Sequence, residues 1–170
     1  RCWKPSIKSF NGSNPAVLNH TNRKLFEKNC KLSPFLPTLD HINQIYRKNC
    51  KSDIYGQRFT DVIWNQLNCK QQADFMNVLQ YFIFTGTGKG DSKLSADAII
   101  EIYNDTIVFI PCDTQEKQEA YITSLIENHR MRLSYVSKGF ATKNITKSML
   151  AWADEANRGS LHIRIRPKIV

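Results

Sequence analysis

The apolar positions of the chain change period twice, marking off an opening strand, a helical middle and a strand-rich end. Around residues 5–9, Ser6 and Lys8 alternate with Pro5 and Ile7, so a strand there puts the serine and the lysine on one face. A loop of Asn, Gly, Ser and Pro follows at 11–15. From 38 to 51, behind Pro37, the positions Leu39, Ile42 and Ile45 or Tyr46 recur at helical intervals. A shorter pattern over 57–68 spaces Phe59, Ile63 and Leu67, and a stronger one over 71–84 spaces Phe75, Val78, Leu79 and Phe82. These spacings predict three amphipathic helices whose aromatic residues belong to the core.

The glycine-rich stretch 85–92 breaks the last of these helices. It is not a nucleotide phosphate loop, because Lys89 is followed by Gly90 where that motif needs Ser or Thr, and because it follows a helix, not a strand. Its amides and Lys89 remain available to a nucleic-acid phosphate. Beyond residue 97 the pattern turns to strands. Segments 98–103 and 106–111 flank Asn104-Asp105 as a hairpin, 114–128 is a helix with Tyr121, Leu125 and Ile126 on its apolar side, and 130–137 alternates as a strand before turning at Lys138-Gly139-Phe140. The segments 149–154 and 160–166 read as a closing hairpin. In its second arm Leu161, Ile163 and Ile165 take one face, and Ser160, His162, Arg164 and Arg166 take the other.

With 170 residues and 41% hydrophobic content the chain is expected to build one core and one domain spanning 1–170. It contains no apolar run near the roughly 18 residues of a membrane span and no signal-peptide pattern, so no membrane partner and a cytoplasmic location are expected. Five cysteines, at 2, 30, 50, 69 and 112, show neither Cys-x-x-Cys nor a His pair at ligand spacing, which speaks against a zinc site or disulfide framework. Charge changes the picture more. Residues 1–52 carry a net +8, 53–128 carry −6 and 129–170 carry +7, within the total of +9. Two basic ends around an acidic middle suggest a shared surface for a polyanion. The face bearing His162, Arg164 and Arg166 suits phosphates or guanine edges.

The string Ser6-Ile7-Lys8-Ser9, with Gly12-Ser13, Pro15, Leu18-Asn19, Thr21-Asn22 and Phe26 behind it, resembles the Ser-Ile-Lys-Ser loop of HpaII-like type II restriction endonucleases. The order of the 98–111 hairpin, the helix ending at Asn128, the Lys138-Gly139-Phe140 corner and the 161–166 strand resembles their tail. The resemblance implies a mixed α/β fold with a PD-(D/E)XK nuclease core, a helical middle segment and C-terminal antiparallel strands. It implies Mg²⁺-dependent, sequence-specific hydrolysis of double-stranded DNA, a possible homodimer, and a cognate DNA methyltransferase as functional partner. Lys8 would be the catalytic lysine, with Ser6 standing at the (D/E) position. An upstream metal-binding acid has no counterpart before Pro5, so the chain is expected to be the C-terminal part of a longer enzyme, with Asp97 and Glu101 as weak substitute metal ligands. Ser9, Asn11, Asn19, Lys89, Lys138, Arg158, His162, Arg164 and Arg166 are the expected DNA contacts.

Three other function classes compete. A non-catalytic nucleic-acid-binding module would use the basic ends for phosphate contacts alone. A ββα-metal nuclease on His20 or His41 lacks a second His-Asn pair at suitable spacing. A protein-interaction domain would dock a basic partner on the acidic middle.

Overall fold

Among the described residues, two three-stranded sheets are linked through residues 5–21, which give one strand to each. The computed structural model describes residues 2–12, 15–21, 23–49, 63–85, 95–136 and 160–167. Strand β1 (Pro5–Ser9) lies parallel to β3 (Ala98–Tyr103), which pairs antiparallel with β4 (Thr106–Pro111), giving the order β1-β3-β4. Strand β2 (Ala16–Thr21) leaves for the second sheet, where β6 (Ser160–Ile165) lies between it and β5 (Met131–Val136), both neighbours antiparallel. The short loop between β1 and β2 therefore joins the two sheets. The chain is thus mixed α/β, with a mixed first sheet and an antiparallel second one. Among the described residues no helix is long and apolar enough to cross a membrane.

Among the described residues, four α-helices supply the rest of the core: α1 (Arg23–Lys28), α2 (Leu36–Asn49), α3 (Cys69–Gln80) and α4 (Gln115–Glu127). Asn68 and Gln71 close a reciprocal capping box at the start of α3, with Asn68 Oδ1 accepting from the Gln71 amide at 2.9 Å and Gln71 Oε1 from the Asn68 amide at 3.0 Å. Helix α3 buries Phe75, Val78 and Leu79, and a π-helical turn over Tyr81–Thr85 then turns the consecutive Ile83 and Phe84 inward. Thr114 caps α4, whose buried stripe is Tyr121, Ile122, Leu125 and Ile126. At its far end the amide of His129 bonds the Ile126 carbonyl and that of Arg130 bonds the Leu125 carbonyl, with His129 at φ 54. This is a Schellman ending, and it delivers Arg130 directly into β5.

The expected elements are found at 36–49, 69–80, 98–111, 115–127 and 131–136, within a few residues of the periodic patterns. Three features differ. The expected helix over 57–68 is, in its described part, a single 3-10 turn at Trp64–Gln66, because Asn68 is used as the cap of the next helix. Residues 16–21, for which the pattern predicts no element, form a strand whose register against β6 is irregular. The strand at 160–165 pairs with β5 and β2; its expected hairpin partner at 149–154 lies outside the described residues.

The register of the first sheet puts Ser6, Lys8, Ile99, Glu101, Tyr103, Val108 and Ile110 on its inner face, and Ile7, Ile107 and Phe109 on its exposed outer face. Ile99→Ala is expected to lower stability by about 2–5 kcal/mol. Ile107→Thr, at a position 70% exposed, is expected to change it by less than about 0.5 kcal/mol. Urea denaturation of both variants checks the register, and equal losses would contradict it.

Candidate active site and nucleic-acid interface

Glu101 interrupts the apolar run Ala98-Ile99-Ile100-Glu101-Ile102-Tyr103 on the central strand of the first sheet. A carboxylate there is withdrawn from water and needs compensating donors. It has three. Arg130 Nη2 and Tyr121 Oη each donate to Glu101 Oε1 at 2.9 Å, and Tyr103 Oη donates to Oε2. Arg130 Nη2 also donates to Tyr103 Oη at 2.9 Å. Burial first, and then the neighbouring carboxylate, push the Tyr121 hydroxyl far above its ordinary range, which keeps it a donor. Phe10 stacks on Tyr103 with ring centroids 4.7 Å apart, and the Arg130 guanidinium lies 5.6 Å above the Phe10 ring. Arg130 also ties in the second sheet: its Nε donates to the Arg166 carbonyl at 3.0 Å, and the Arg166 amide donates to the Arg130 carbonyl at 2.6 Å.

Lys8 stands directly opposite Glu101 in the parallel pairing of β1 and β3. It is 7% exposed, and burial lowers its pKa from 10.5. Glu101 does not relieve that burial, since its oxygens are taken by Arg130 and the two tyrosines. Among the described residues no ion pair or hydrogen bond holds the Lys8 ammonium. A buried amine in this condition is poised either to lose its proton or to meet an anion. Ser6 lies two residues back on the same face, half-buried, opposite Ile99.

The other expected site residues are dispersed. Ser9 is exposed on the opposite face from Lys8. Asn11 is exposed, and its Oδ1 accepts from the Asn104 amide at 2.5 Å, bracing the loop after β1 against the β3–β4 turn. Asp97 Oδ1 accepts from the Lys4 amide at 2.6 Å, fixing the entry of β1 alongside β3. Asn19 and His162 lie on β2 and β6, Arg164 on β6, and Arg166 just beyond it. Lys89, Lys138 and Arg158 lie outside the described residues. Sequence reasoning missed Tyr103, Tyr121 and Arg130. The charge inside the apolar strand was the available signal that a buried partner for Glu101 had to exist.

The described carboxylates do not fit a Mg²⁺ site. Both oxygens of Glu101 are engaged by three donors in all, one oxygen of Asp97 is engaged by a backbone amide, and among the described residues no three His, Cys, Asp or Glu side chains gather as a metal-binding group. The four described cysteines are free, and burial pushes the Cys112 thiol up to about 11. Comparison with known proteins adds nothing to this picture, since no family model, no curated protein and no solved structure matches the chain.

Two predictions follow from the cluster. Arg130→Met leaves Glu101 charged and buried, at an expected cost of about 3–5 kcal/mol, and adding Glu101→Gln should restore a large part of it. Urea denaturation of the single and double variants measures that recovery. Lys8 behaves oppositely. Its folded pKa lies below its unfolded value, so the unfolded chain binds more protons between the two, and the Lys8 contribution makes stability rise with pH up to about 10.5. Lys8→Met is expected to raise the melting temperature at pH 7 and to remove that alkaline rise, with about 2–4 °C for each kcal/mol of relieved desolvation. Thermal melts of the two proteins from pH 7 to about pH 10.5 check both.

Proposed function

We propose that this chain carries the nuclease chemistry of a type II restriction endonuclease resembling the HpaII-like group, with a PD-(D/E)XK-type core, and that it hydrolyses phosphodiester bonds of double-stranded DNA. The observation that carries the reading is Lys8: a buried lysine without an ion-pair partner among the described residues, within Ser6-Ile7-Lys8-Ser9, next to an Asn/Gly/Pro loop. A structural lysine is rarely buried unless it is paired, and Lys8 is not, although Glu101 stands opposite it. A lysine that serves a phosphodiester is expected to keep its amine uncommitted. Hydrolysis adds a water oxygen to phosphorus and expels a sugar oxygen. Lys8 suits the task of holding the attacked phosphate or taking the proton of the attacking water.

Mg²⁺ belongs to this proposal through the resemblance alone. No step is routed through it, because the described carboxylates do not build its site. The basic segments 1–52 and 129–170, brought together by the β2–β6 pairing, support a DNA partner. A homodimer and a cognate methyltransferase are implied by the resemblance.

A second reading, a nucleic-acid-binding module without chemistry, is favoured by the engagement of both Glu101 oxygens inside the fold. Incubation of the purified protein, and of a form extended upstream to supply the missing acid, with unmethylated plasmid, with Mg²⁺ or with EDTA, separates the two. Discrete fragments that need Mg²⁺ and vanish in Lys8→Ala are expected, with duplex affinity changed less than about threefold, since one lost contact among many costs little. Salt-sensitive binding without any cleavage would overturn the nuclease reading and leave the binding module.

A further inference from the structure

Strand β4 closes one side of the first sheet and carries little that would keep another strand away. Among the described residues its one strand neighbour is β3, and that pairing runs from Tyr103–Thr106 to Ala98–Pro111 without a bulge. Its sequence, Thr-Ile-Val-Phe-Ile-Pro, combines strand-favouring residues with no charge. Edge strands are ordinarily blunted by lysines, bulges or prolines, and here Pro111 does so only at the last position.

The ladder fixes where the main chain of β4 points. The Asp97 carbonyl accepts from the Cys112 amide, whereas the Ile102 carbonyl accepts from the Phe10 amide and is therefore turned to β1. Hydrogen-bonded and non-hydrogen-bonded positions alternate along an antiparallel pair. Thr106, Val108 and Ile110 thus bond to β3, while Ile107 and Phe109 turn their N–H and C=O groups to the open edge. The same two residues are exposed at their side chains, by 70% and 45%, and Trp3 holds Phe109 edge-on with ring centroids 5.3 Å apart. Beyond them Pro111 has no N–H to offer, and the Asn104-Asp105 turn ends the strand on the other side. The pairable stretch is symmetric about Val108. An identical strand laid antiparallel, with Val108 on a two-fold axis, sets Ile107 against Phe109 of the partner subunit and Phe109 against Ile107 of the partner subunit. Each pair exchanges two main-chain hydrogen bonds and joins a β-branched side chain to an aromatic one. No like charges meet along this edge, whereas the net charge of +9 opposes contact through the basic ends.

We propose that β4 is a self-association edge, at which two copies of this chain pair β4 with β4 antiparallel about Val108 and form one six-stranded sheet. The homodimer implied by the resemblance has no surface assigned to it; this edge is read from the sheet alone and stands or falls apart from the nuclease reading. A single strand on each side is small beside the roughly 20–30 residues a side of a stable interface, so the dissociation constant is expected to be on the order of 100 μM.

Sedimentation velocity of the protein without DNA, from about 5 to about 500 μM in about 0.15 M salt, tests the edge. The sedimentation coefficient is expected to rise from a monomer to a dimer value across that range. Ile107→Pro removes an outward N–H that the fold does not use, which an edge strand tolerates. It should weaken association at least about tenfold while moving the melting temperature of the dilute protein by less than about 2 °C. Ile107→Lys, which keeps the N–H and adds a charge to the edge, should weaken association as well. Cross-linking reads the register. Val108→Cys places two thiols on a directly opposed, non-hydrogen-bonded pair with Cα atoms about 4.5 Å apart, within disulfide reach. Diamide should cross-link this variant beyond the level set by the parent's own cysteines. Ile107→Cys puts the thiols on diagonal positions about 7–8 Å apart and should stay at the parent level. A monomer at every concentration, a dimer that both Ile107→Pro and Ile107→Lys leave intact, or cross-linking through position 107 in place of 108 would overturn the proposal. A protein that dimerises this way yet never cuts plasmid keeps the edge and loses the nuclease. One that cuts as a monomer at every concentration does the reverse.

Discussion

The ion pair between Glu101 and Arg130 is the constraint on which the rest of the arrangement depends. One partner is at the centre of the first sheet, the other at the entry of the second, and both are almost fully withdrawn from water. A buried pair of this kind is weak evidence for stability taken alone, because desolvation offsets most of the attraction. Its consequence is geometric. Arg130 cannot serve Glu101, Tyr103 and Arg166 together unless the two sheets take one relative placement. The Schellman ending of α4 fixes where Arg130 starts, and the Phe10–Tyr103 stack fixes what it lies against. Specificity of packing, more than net energy, is what this cluster contributes.

Much of the fold was legible because its periodic segments are governed by local rules. The α3 pattern, the hairpin at Asn104-Asp105 and the alternation of β6 follow from spacing and turn chemistry alone. Asn104 at φ 41 is what a tight hairpin demands of a residue type that tolerates that region. The second strand was missed because its register is broken, and a broken register leaves no period to read. The partnering of β1 with β3, and of β6 with β2, was out of reach because each links segments more than 90 residues apart, for which a single sequence holds no local signal.

The site was legible in its lysine and not in its surroundings. Lys8 stood out by the string around it, whereas the buried charge network opposite it is made by Glu101, Tyr121 and Arg130, contributed by β3, α4 and the start of β5. Glu101 was noticed as an acid and expected to serve a metal; the structure gives it to an arginine instead. That choice leaves the cluster with two cations against one anion among the residues named, an imbalance that a phosphate-bearing ligand would correct.

The order in which the chain is made adds a last consequence. Residues 5–21 emerge before either of their strands has a partner: β1 waits for β3, and β2 waits for β6. Non-local pairings of this kind are slow to form, because the intervening chain must close a long loop before the contact stabilises anything. On the ribosome, the helices α2 and α3 can collapse first, while the segment carrying Lys8 remains an unpaired ribbon. The lysine is enclosed only after Arg130 has been synthesised, and the second sheet closes only after Ile165. The nascent chain therefore leaves Lys8 unassembled until a segment more than 90 residues downstream has been made.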